Sequence, residues 1–196
     1  MKYKHLFVLG MLLLVISCAT VEPARIENGL FINPANEFSL RVPAGWETSK
    51  KVPQIFKPFE KRLKIMFSDL KNESFIFVQA EKSGTDWISF KLRSDKSIAA
   101  MEDKFVDIKE KTLNMPGAKY CRYEIYKEQI KNCDNECLAV KMEVQDSEFK
   151  GLMNTIFYKS NHDKLYWIAI TLMTREEQYA TSLSAFKIVV NSFQHS

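Results

Sequence analysis

Four successive segments in the second half of the chain have the pattern of β-strands, and only short connections separate them. They are Lys119 to Glu128, Cys137 to Gln145, Leu152 to Lys159 and Leu165 to Met173. Connections this short join antiparallel neighbours, since parallel strands need a crossover of a dozen or more residues. The fourth segment is apolar on both faces, which predicts a central strand covered on both sides. These segments restrict the chain to a fold built on an antiparallel sheet.

The first half of the chain predicts a hairpin followed by further strands. Leu30 to Ile32 and Phe38 to Val42 flank Asn33-Pro34-Ala35-Asn36, a group of turn residues between two apolar runs. Pro43 and Gly45 then end the second strand. Further strands are expected at Lys64 to Leu70, Ser74 to Glu81 and Trp87 to Leu92.

Two other segments have the periodicity of helices. The first begins near Ser94 or Asp95. Its apolar stripe is Ile98, Met101, Phe105, Ile108 and Thr112. The second follows Thr174-Arg175-Glu176-Glu177, which has the form of a capping box. Its stripe is Tyr179, Leu183, Phe186 and Val190. The order of strands, helix, strands and helix predicts an α+β fold, an α/β/α sandwich whose antiparallel sheet has about six to seven strands with helices packed on it.

Residues 1–17 have the three parts of an export signal. Lys2 and Lys4 give a basic start, an apolar run extends from Leu6 to Ile16, and Ser17 precedes Cys18. The run of 11 residues is shorter than the roughly 20 that span a bilayer core, and it has the length of a signal-peptide core. We therefore predict a signal peptide that is removed.

The end of that segment, Val15-Ile16-Ser17-Cys18, resembles the lipobox of bacterial lipoproteins. The resemblance implies cleavage before Cys18, acylation of that cysteine and attachment to a membrane, with residues 18–29 as the tether and 30–196 as the domain. Two or three acyl chains anchor stably where one is marginal. Ala19 in place of the aspartate that retains enteric lipoproteins in the inner membrane favours the outer membrane, facing the periplasm. An ordinary secretory signal with a chance cysteine is the alternative.

Composition and motifs argue against two functional classes. The formal net charge of +4 falls to +2 once Lys2 and Lys4 are removed with the signal peptide. A charge this small argues against nucleic-acid binding, which needs a strongly basic face. The chain has no G-x-S-x-G, H-E-x-x-H, P-loop or G-x-G-x-x-G motif. His162 and His195 are the histidines after the signal. We expect no catalytic residues and no cofactor.

The three cysteines that follow the anchor predict one disulfide. Antiparallel pairing across the turn at Cys133 and Cys137 places Cys121 near Val144, away from Cys137. Because an exported chain meets an oxidising compartment, a Cys133–Cys137 bridge with a free Cys121 is expected. The alternative is a zinc site in which Cys133 and Cys137 are joined by His162 and by Asp134 or Asp163.

The segment from Val52 to Lys64 is a candidate binding surface. Pro53 and Pro58 prevent regular strand pairing there. Its apolar members are Ile55, Phe56 and Phe59, and its cations are Lys57, Lys61, Arg62 and Lys64. Aromatic residues with arginine are typical of interface centres, and the cations suit acidic protein or lipid phosphate. The alternative is that both phenylalanines anchor the loop in the core.

Two further stretches resemble PsbP-like and DcrB-like domains. They are Phe38-Ser39-Leu40-Arg41-Val42-Pro43-Ala44-Gly45-Trp46-Glu47 and Ala185-Phe186-Lys187-Ile188-Val189-Val190-Asn191-Ser192-Phe193. The resemblance implies an antiparallel sheet between helices, no shared catalytic residues, a mostly accessory or binding role, and Trp46 as a core or corner residue.

The expected function is that of a lipid-anchored, non-catalytic domain of the cell envelope that binds or supports another envelope component, with an envelope protein as partner. A small-ligand or metal carrier is the alternative, and an enzyme of unknown type is third. A ligand carrier should have a cavity between sheet and helix with convergent polar groups, whereas a protein-binding module should have an exposed apolar patch.

Overall fold

The computed structural model describes residues 22–86, 120–128, 137–145, 148–159 and 164–195. Its strands are β1 (Arg25–Glu27), β2 (Leu30–Asn33), β3 (Phe38–Arg41), β4 (Glu47–Ser49), β5 (Leu63–Asp69), β6 (Ser74–Asp86), β7 (Tyr120–Glu128), β8 (Cys137–Gln145), β9 (Phe149–Lys159), β10 (Lys164–Arg175) and β11 (Gln194–His195). The α-helix of these ranges is α1 (Tyr179–Asn191), and short 3-10 helices occupy Pro34–Asn36, Gln54–Glu60, Leu70–Asn72 and Glu176–Gln178.

Seven strands form one antiparallel sheet in the order β4-β5-β6-β10-β9-β8-β7. β10 lies in the middle of this large sheet, between β6 and β9. Ile168 and Ile170 on one face of β10 are fully buried, and Ala169 and Thr171 on the other face are also buried. Both the α+β class and the doubly covered central strand predicted from the sequence are confirmed.

A second, four-stranded sheet was not predicted. Its order is β1-β2-β3-β11, so the hairpin of β2 and β3 pairs with the end of the chain instead of joining the large sheet. Gln194 lies opposite Ser39, and the Ser192 hydroxyl accepts a hydrogen bond from the Arg41 backbone N–H at 2.7 Å. β1 falls within the segment assigned to the tether, so regular structure begins by Arg25.

The main hydrophobic core lies between one face of the large sheet and a layer made of α1 and the small sheet. Its buried members include Phe31 and Leu40 from the small sheet, and Phe186 and Val189 from α1. Phe193 is fully buried against Tyr158, with the ring centroids 5.1 Å apart. Fully burying an aliphatic or aromatic side chain stabilises the fold by about 1.5–3 kcal/mol.

The packing explains why the two stretches that resemble PsbP-like domains carry their aromatic residues. Phe38 stacks near Phe193 with ring centroids 6.4 Å apart, which joins the first stretch to the second. Trp46 is partly buried and packs against the main core, in agreement with its interpretation as a core or corner residue. Both stretches therefore serve packing.

The predicted capping box at Thr174 is wrong. Thr174 belongs to β10 and is fully buried, and its hydroxyl lies 2.6 Å from the Ser74 hydroxyl. The Ser74 hydroxyl in turn lies 2.7 Å from the Ser182 hydroxyl of α1. Since each buried hydroxyl needs a hydrogen-bond partner, Thr174 joins this cluster instead of capping the helix. The strand continues to Arg175, and the helical turn begins at Glu176.

Three predicted elements of the domain lie outside the described residues. They are the strand at Trp87 to Leu92, the helix that begins near Ser94 or Asp95, and the turn that contains Cys133. The last helix is confirmed, because Tyr179, Leu183, Phe186 and Val190 of α1 all pack on the main core, together with Val189.

Candidate functional site

The candidate binding surface at Val52 to Lys64 is mostly turned inward. Phe56 is only 4% exposed, and its ring lies 5.1 Å from the Phe75 and Phe149 rings and 5.3 Å from the Phe77 ring. These residues form a second apolar cluster on the opposite face of the large sheet from the main core. The assignment of Phe56 to a binding surface is therefore wrong: the side chain anchors the loop.

Phe59 is held in the same cluster. Its ring stacks on the Phe77 ring with centroids 4.6 Å apart and planes 11° apart. The Gln79 side-chain amide donates hydrogen bonds to the Phe59 carbonyl at 3.1 Å and to the Lys61 carbonyl at 2.7 Å. The loop is held on β6 by hydrogen bonds to its backbone carbonyls as well as by aromatic packing.

The rest of this segment offers a small mixed surface. Ile55 is 69% exposed. Lys57 pairs with Glu60 at 2.5 Å. Arg62 pairs with Glu81, and its guanidinium lies 5.7 Å from the centroid of the Trp167 ring. Of the residues predicted to form the binding surface, Ile55 and Lys61 are exposed, whereas Arg62 is engaged by neighbours of its own chain.

A cleft of about 320 Å³ lies between α1 and the strands β8 and β9. Its walls are Lys141 and Glu143 of β8, Leu152 and Asn154 of β9, and Tyr179, Leu183, Phe186, Lys187, Val190 and Asn191 of α1. The volume falls at the lower end of the range for small-molecule sites, which is roughly 300–1,000 Å³. This is a cavity between sheet and helix of the kind expected for a ligand carrier.

The floor of the cleft is apolar and continuous with the main core. Leu152 and Phe186 are buried, while Leu183 and Val190 are half-buried and pack against the core at the cleft's edge. A floor made of core side chains is rigid, because these side chains are close-packed on their inner side. An apolar group that enters the cleft therefore meets a preformed surface.

Polar groups reach the cleft from both walls. On the sheet, Lys141 lies directly opposite Asn154 in the β8–β9 register, and Asn154 is buried. The Lys141 ammonium lies 3.6 Å from the Glu143 carboxylate. Lys187 and Asn191 belong to the helix wall and are exposed. The site thus combines an apolar floor with a polar rim.

Tyr179 stands at the start of α1, at one end of the cleft. Burial, and to a smaller extent the nearby Glu143 carboxylate, raises the pKa of its phenol to about 12. The Lys150 ammonium lies 4.2 Å from the centroid of the Tyr179 ring, a distance at which a cation is attracted to the face of the ring. The phenol therefore stays protonated at neutral pH and is available as a hydrogen-bond donor.

Sequence reasoning identified the apolar half of this cleft and missed its polar half. Leu183, Phe186 and Val190 were predicted as the buried stripe of the last helix, without a cavity beside them. The available signal was Asn154, a polar residue between Leu152 and Ile156 on the strand face that is otherwise apolar. A buried polar residue on a core face is a more informative feature than an exposed apolar one.

The cysteine site is only partly within the described residues. Cys121 lies opposite Val144 and Cys137 lies opposite Glu128 in the β7–β8 register, which confirms that Cys121 is not a neighbour of Cys137 in this sheet. Cys18, Cys133 and His162 lie outside the described residues. Among the residues that are described, no group of three His, Cys, Asp or Glu side chains is placed to hold a metal ion.

Comparison with known proteins relates the fold to solved structures. The solution structure of cyanobacterial PsbP (CyanoP) from Synechocystis matches 92% of this chain and 98% of its own, with 18% sequence identity and a TM-score of 0.50. The chain has a PsbP-like fold. A crystal structure of LpqN, involved in cell envelope biogenesis of Mycobacterium tuberculosis, matches 80% of this chain and 82% of its own, with 10% identity and a TM-score of 0.45.

Sequence comparison adds no relative beyond this structural likeness. No protein-family model matches the chain, and no curated protein matches it. In the described part of this PsbP-like fold, no helix is both long and apolar enough to cross a bilayer.

Proposed function

We propose that the mature protein is a lipid-anchored, non-catalytic domain of the cell envelope that binds or supports another envelope component. The observation that carries the proposal is the sequence Val15-Ile16-Ser17-Cys18 at the end of an 11-residue apolar run. Acylation of Cys18 attaches the domain to a membrane, which is the outer membrane if Ala19 acts as it does in enteric lipoproteins. The PsbP-like fold supports the accessory role, because most proteins with that fold act as accessory or binding proteins.

The proposed position limits what the domain can reach. Six residues separate Cys18 from Arg25, where β1 begins. An extended chain spans at most about 3.6 Å per residue, so the folded domain lies within roughly 25 Å of the lipid headgroups. The partner is accordingly an envelope protein at or near the membrane surface, and nucleic acid is not a partner.

The anchor is tested by replacing Cys18 with serine and labelling cells with palmitate. We expect wild-type protein to take up the label and to fractionate with membranes, and Cys18→Ser to take up none, because serine supplies no thiol for the acyl transfer. Cys121→Ser is the matched control, since it removes a cysteine outside the lipobox and should label normally. Equal labelling of wild type and Cys18→Ser would refute the anchor.

A small-ligand or metal carrier is the second candidate, and two features favour it. The cleft beside α1 has an apolar floor and convergent polar groups, which is the usual composition of a small-molecule site. The sequence also places Cys133, Cys137 and His162 in two turns at the same end of the predicted meander. The first feature suits an organic ligand and the second a metal ion.

The oxidation state of Cys133 and Cys137 distinguishes a metal site from a disulfide bridge. Protein taken from the envelope should contain one Cys133–Cys137 disulfide and one free thiol at Cys121, because the compartment oxidises vicinal thiols. Alkylation without reduction, followed by peptide mass analysis, should therefore modify Cys121 alone. Alkylation of both Cys133 and Cys137, with zinc released in proportion to protein, would favour the metal site instead.

A further inference from the structure

We infer that the cleft between α1 and the strands β8 and β9 binds a small amphipathic organic anion, with an apolar ring or branched chain on the floor and one carboxylate-like group at the Lys187 end. The inference deepens the ligand-carrier function proposed above, and it does not depend on the anchor. It rests on the shape of the cleft, the charge of its rim and the neutral hydrogen-bonding groups of its walls.

The apolar half of the ligand is set by the floor. Leu152 and Phe186 present buried carbon surface, and Leu183 and Val190 rise beside them from α1. Each methylene that such a surface removes from water contributes about 0.8 kcal/mol. A purely polar ligand such as a free inorganic anion would leave this apolar surface exposed to water. The cleft therefore selects a molecule with an apolar body.

The anionic half of the ligand is set by the charges on the rim. The rim carries two ammonium groups, Lys141 and Lys187, and one carboxylate, Glu143. Lys141 and Glu143 pair with each other on the sheet wall. Lys187 has no carboxylate partner within the described part of the chain, so among the described lining residues the uncompensated charge is positive and lies on the helix wall.

Neutral hydrogen-bonding groups complete the site. The Tyr179 phenol lines the cleft and, like any tyrosine phenol, is a hydrogen-bond donor at neutral pH. Asn154 brings an amide to the sheet wall, opposite Lys141 in the register. Donors of this kind suit the oxygens of a carboxylate or a sulfonate, whereas a cationic ligand would meet Lys187 and a carboxylate that Lys141 already neutralises.

The inference can be tested by photolabelling with two probes that share an apolar ring, one carrying a carboxylate and the other a neutral hydroxymethyl group. The first is trifluoromethyl-diazirinyl benzoic acid, and the second is the corresponding benzyl alcohol. The full-length lipidated protein is labelled in phosphatidylcholine vesicles over a range of probe concentrations, and the labelled peptides are identified by mass spectrometry. We expect saturable labelling by the acid on peptides from β9 and α1, and weaker labelling of the same peptides by the alcohol.

The charge is tested on the same protein with Lys187→Gln and Lys187→Glu. Because an exposed ion pair contributes up to about 1 kcal/mol, Lys187→Gln should weaken half-saturation by the acid roughly three- to fivefold and leave the alcohol unchanged. Lys187→Glu should weaken the acid further. Lys57→Gln is the matched control: it removes an exposed lysine from a loop that packs on the opposite face of the sheet, and it should change neither probe.

Three outcomes would overturn the inference. Labelling that does not saturate, labelling that maps outside β8, β9 and α1, or equal effects of Lys187→Gln and Lys57→Gln on the acid would show that the cleft is no anion site. Palmitate incorporation is measured in the same preparation. Loss of cleft labelling with intact palmitate refutes the ligand alone, and absent palmitate with intact cleft labelling refutes the anchor alone.

Discussion

Replacement of Phe56 by alanine is expected to lower the free energy of unfolding by about 3–5 kcal/mol. The ring is almost fully buried among Phe75, Phe77 and Phe149, so its removal leaves a cavity that the rigid sheet cannot close. Total stabilities of domains are about 5–15 kcal/mol. The loss is therefore a large fraction of the total stability, and urea denaturation followed by circular dichroism measures it.

Ile55→Ala is the matched control for Phe56→Ala. Ile55 precedes Phe56 in the same loop, yet its side chain is 69% exposed, so its removal should change the stability by no more than about 0.5 kcal/mol. If Phe56→Ala unfolds no more easily than Ile55→Ala, the phenylalanine is not the anchor that its contacts indicate. A stable Phe56→Ala protein that loses a partner would restore Phe56 to a binding surface.

The stability of the fold is expected to decrease as the pH rises above about 10, and Tyr158 should account for a distinct part of the decrease. Burial raises the pKa of the Tyr158 phenol above its ordinary value of 10.0, and nearby Tyr166 and Glu37 add to the effect. Above that value the unfolded chain loses the phenolic proton while the folded chain keeps it. The contribution is full below pH 10 and then falls by about 1.4 kcal/mol per pH unit until the folded pKa is reached.

Tyr158→Phe should make the alkaline decrease shallower. At neutral pH the variant should be slightly less stable than wild type, by about 0.5–1.5 kcal/mol, because it loses the hydrogen bond of 2.6 Å that the phenol donates to the Asn36 carbonyl. The difference between the two proteins should shrink or reverse above pH 10. Urea midpoints measured at several pH values on either side of 10 test this, and parallel curves for the two proteins would contradict it.

Tyr179→Phe provides the comparison within the same molecule. The pKa of Tyr179 is raised to about 12, so its contribution should fall between pH 10 and 12 and stay constant above that pH. Tyr179 is also only half-buried, which should make its share of the decrease smaller than that of Tyr158. An ultraviolet titration of wild type should therefore resolve at least two phenol populations in the folded state.

The local sequence pattern was enough to predict the long strands of the large sheet, because each either alternates between apolar and polar residues or, like β10, is an apolar run bounded by turn residues. β9 and β10 are flanked by turn residues and pair with sequence neighbours, so their pattern and their pairing agree. The small sheet has no such signal. β11 consists of Gln194–His195 alone, and its partner β3 lies far away in sequence. A two-residue strand has no period, and its pairing is decided by tertiary contacts.

The two errors at single residues have a common physical cause. Thr174 fits a capping box in sequence, but the hydroxyls of Ser74 and Ser182 compete for it inside the protein. Phe56 lies between prolines and lysines in a polar loop, but an unfilled apolar surface on β6 and β9 takes it up. For each side chain, the neighbouring sequence favours one environment and contacts with distant residues favour another. A single sequence shows the neighbours of a residue but not its distant contacts.

For the proposed lipid-anchored form, the position of β1 determines how the domain would respond to tension from the membrane. β1 lies at the edge of the small sheet, three residues long, and pairs only with β2 among the described strands. Tension applied at Glu22 would act along that short ladder and open its hydrogen bonds one after another from Arg25. The strands of the large sheet are not hydrogen-bonded to β1, so β1 can separate without breaking any of their hydrogen bonds. β1 would thus separate before the rest of the fold. Its release would lengthen the segment between Cys18 and the domain while the domain remained folded.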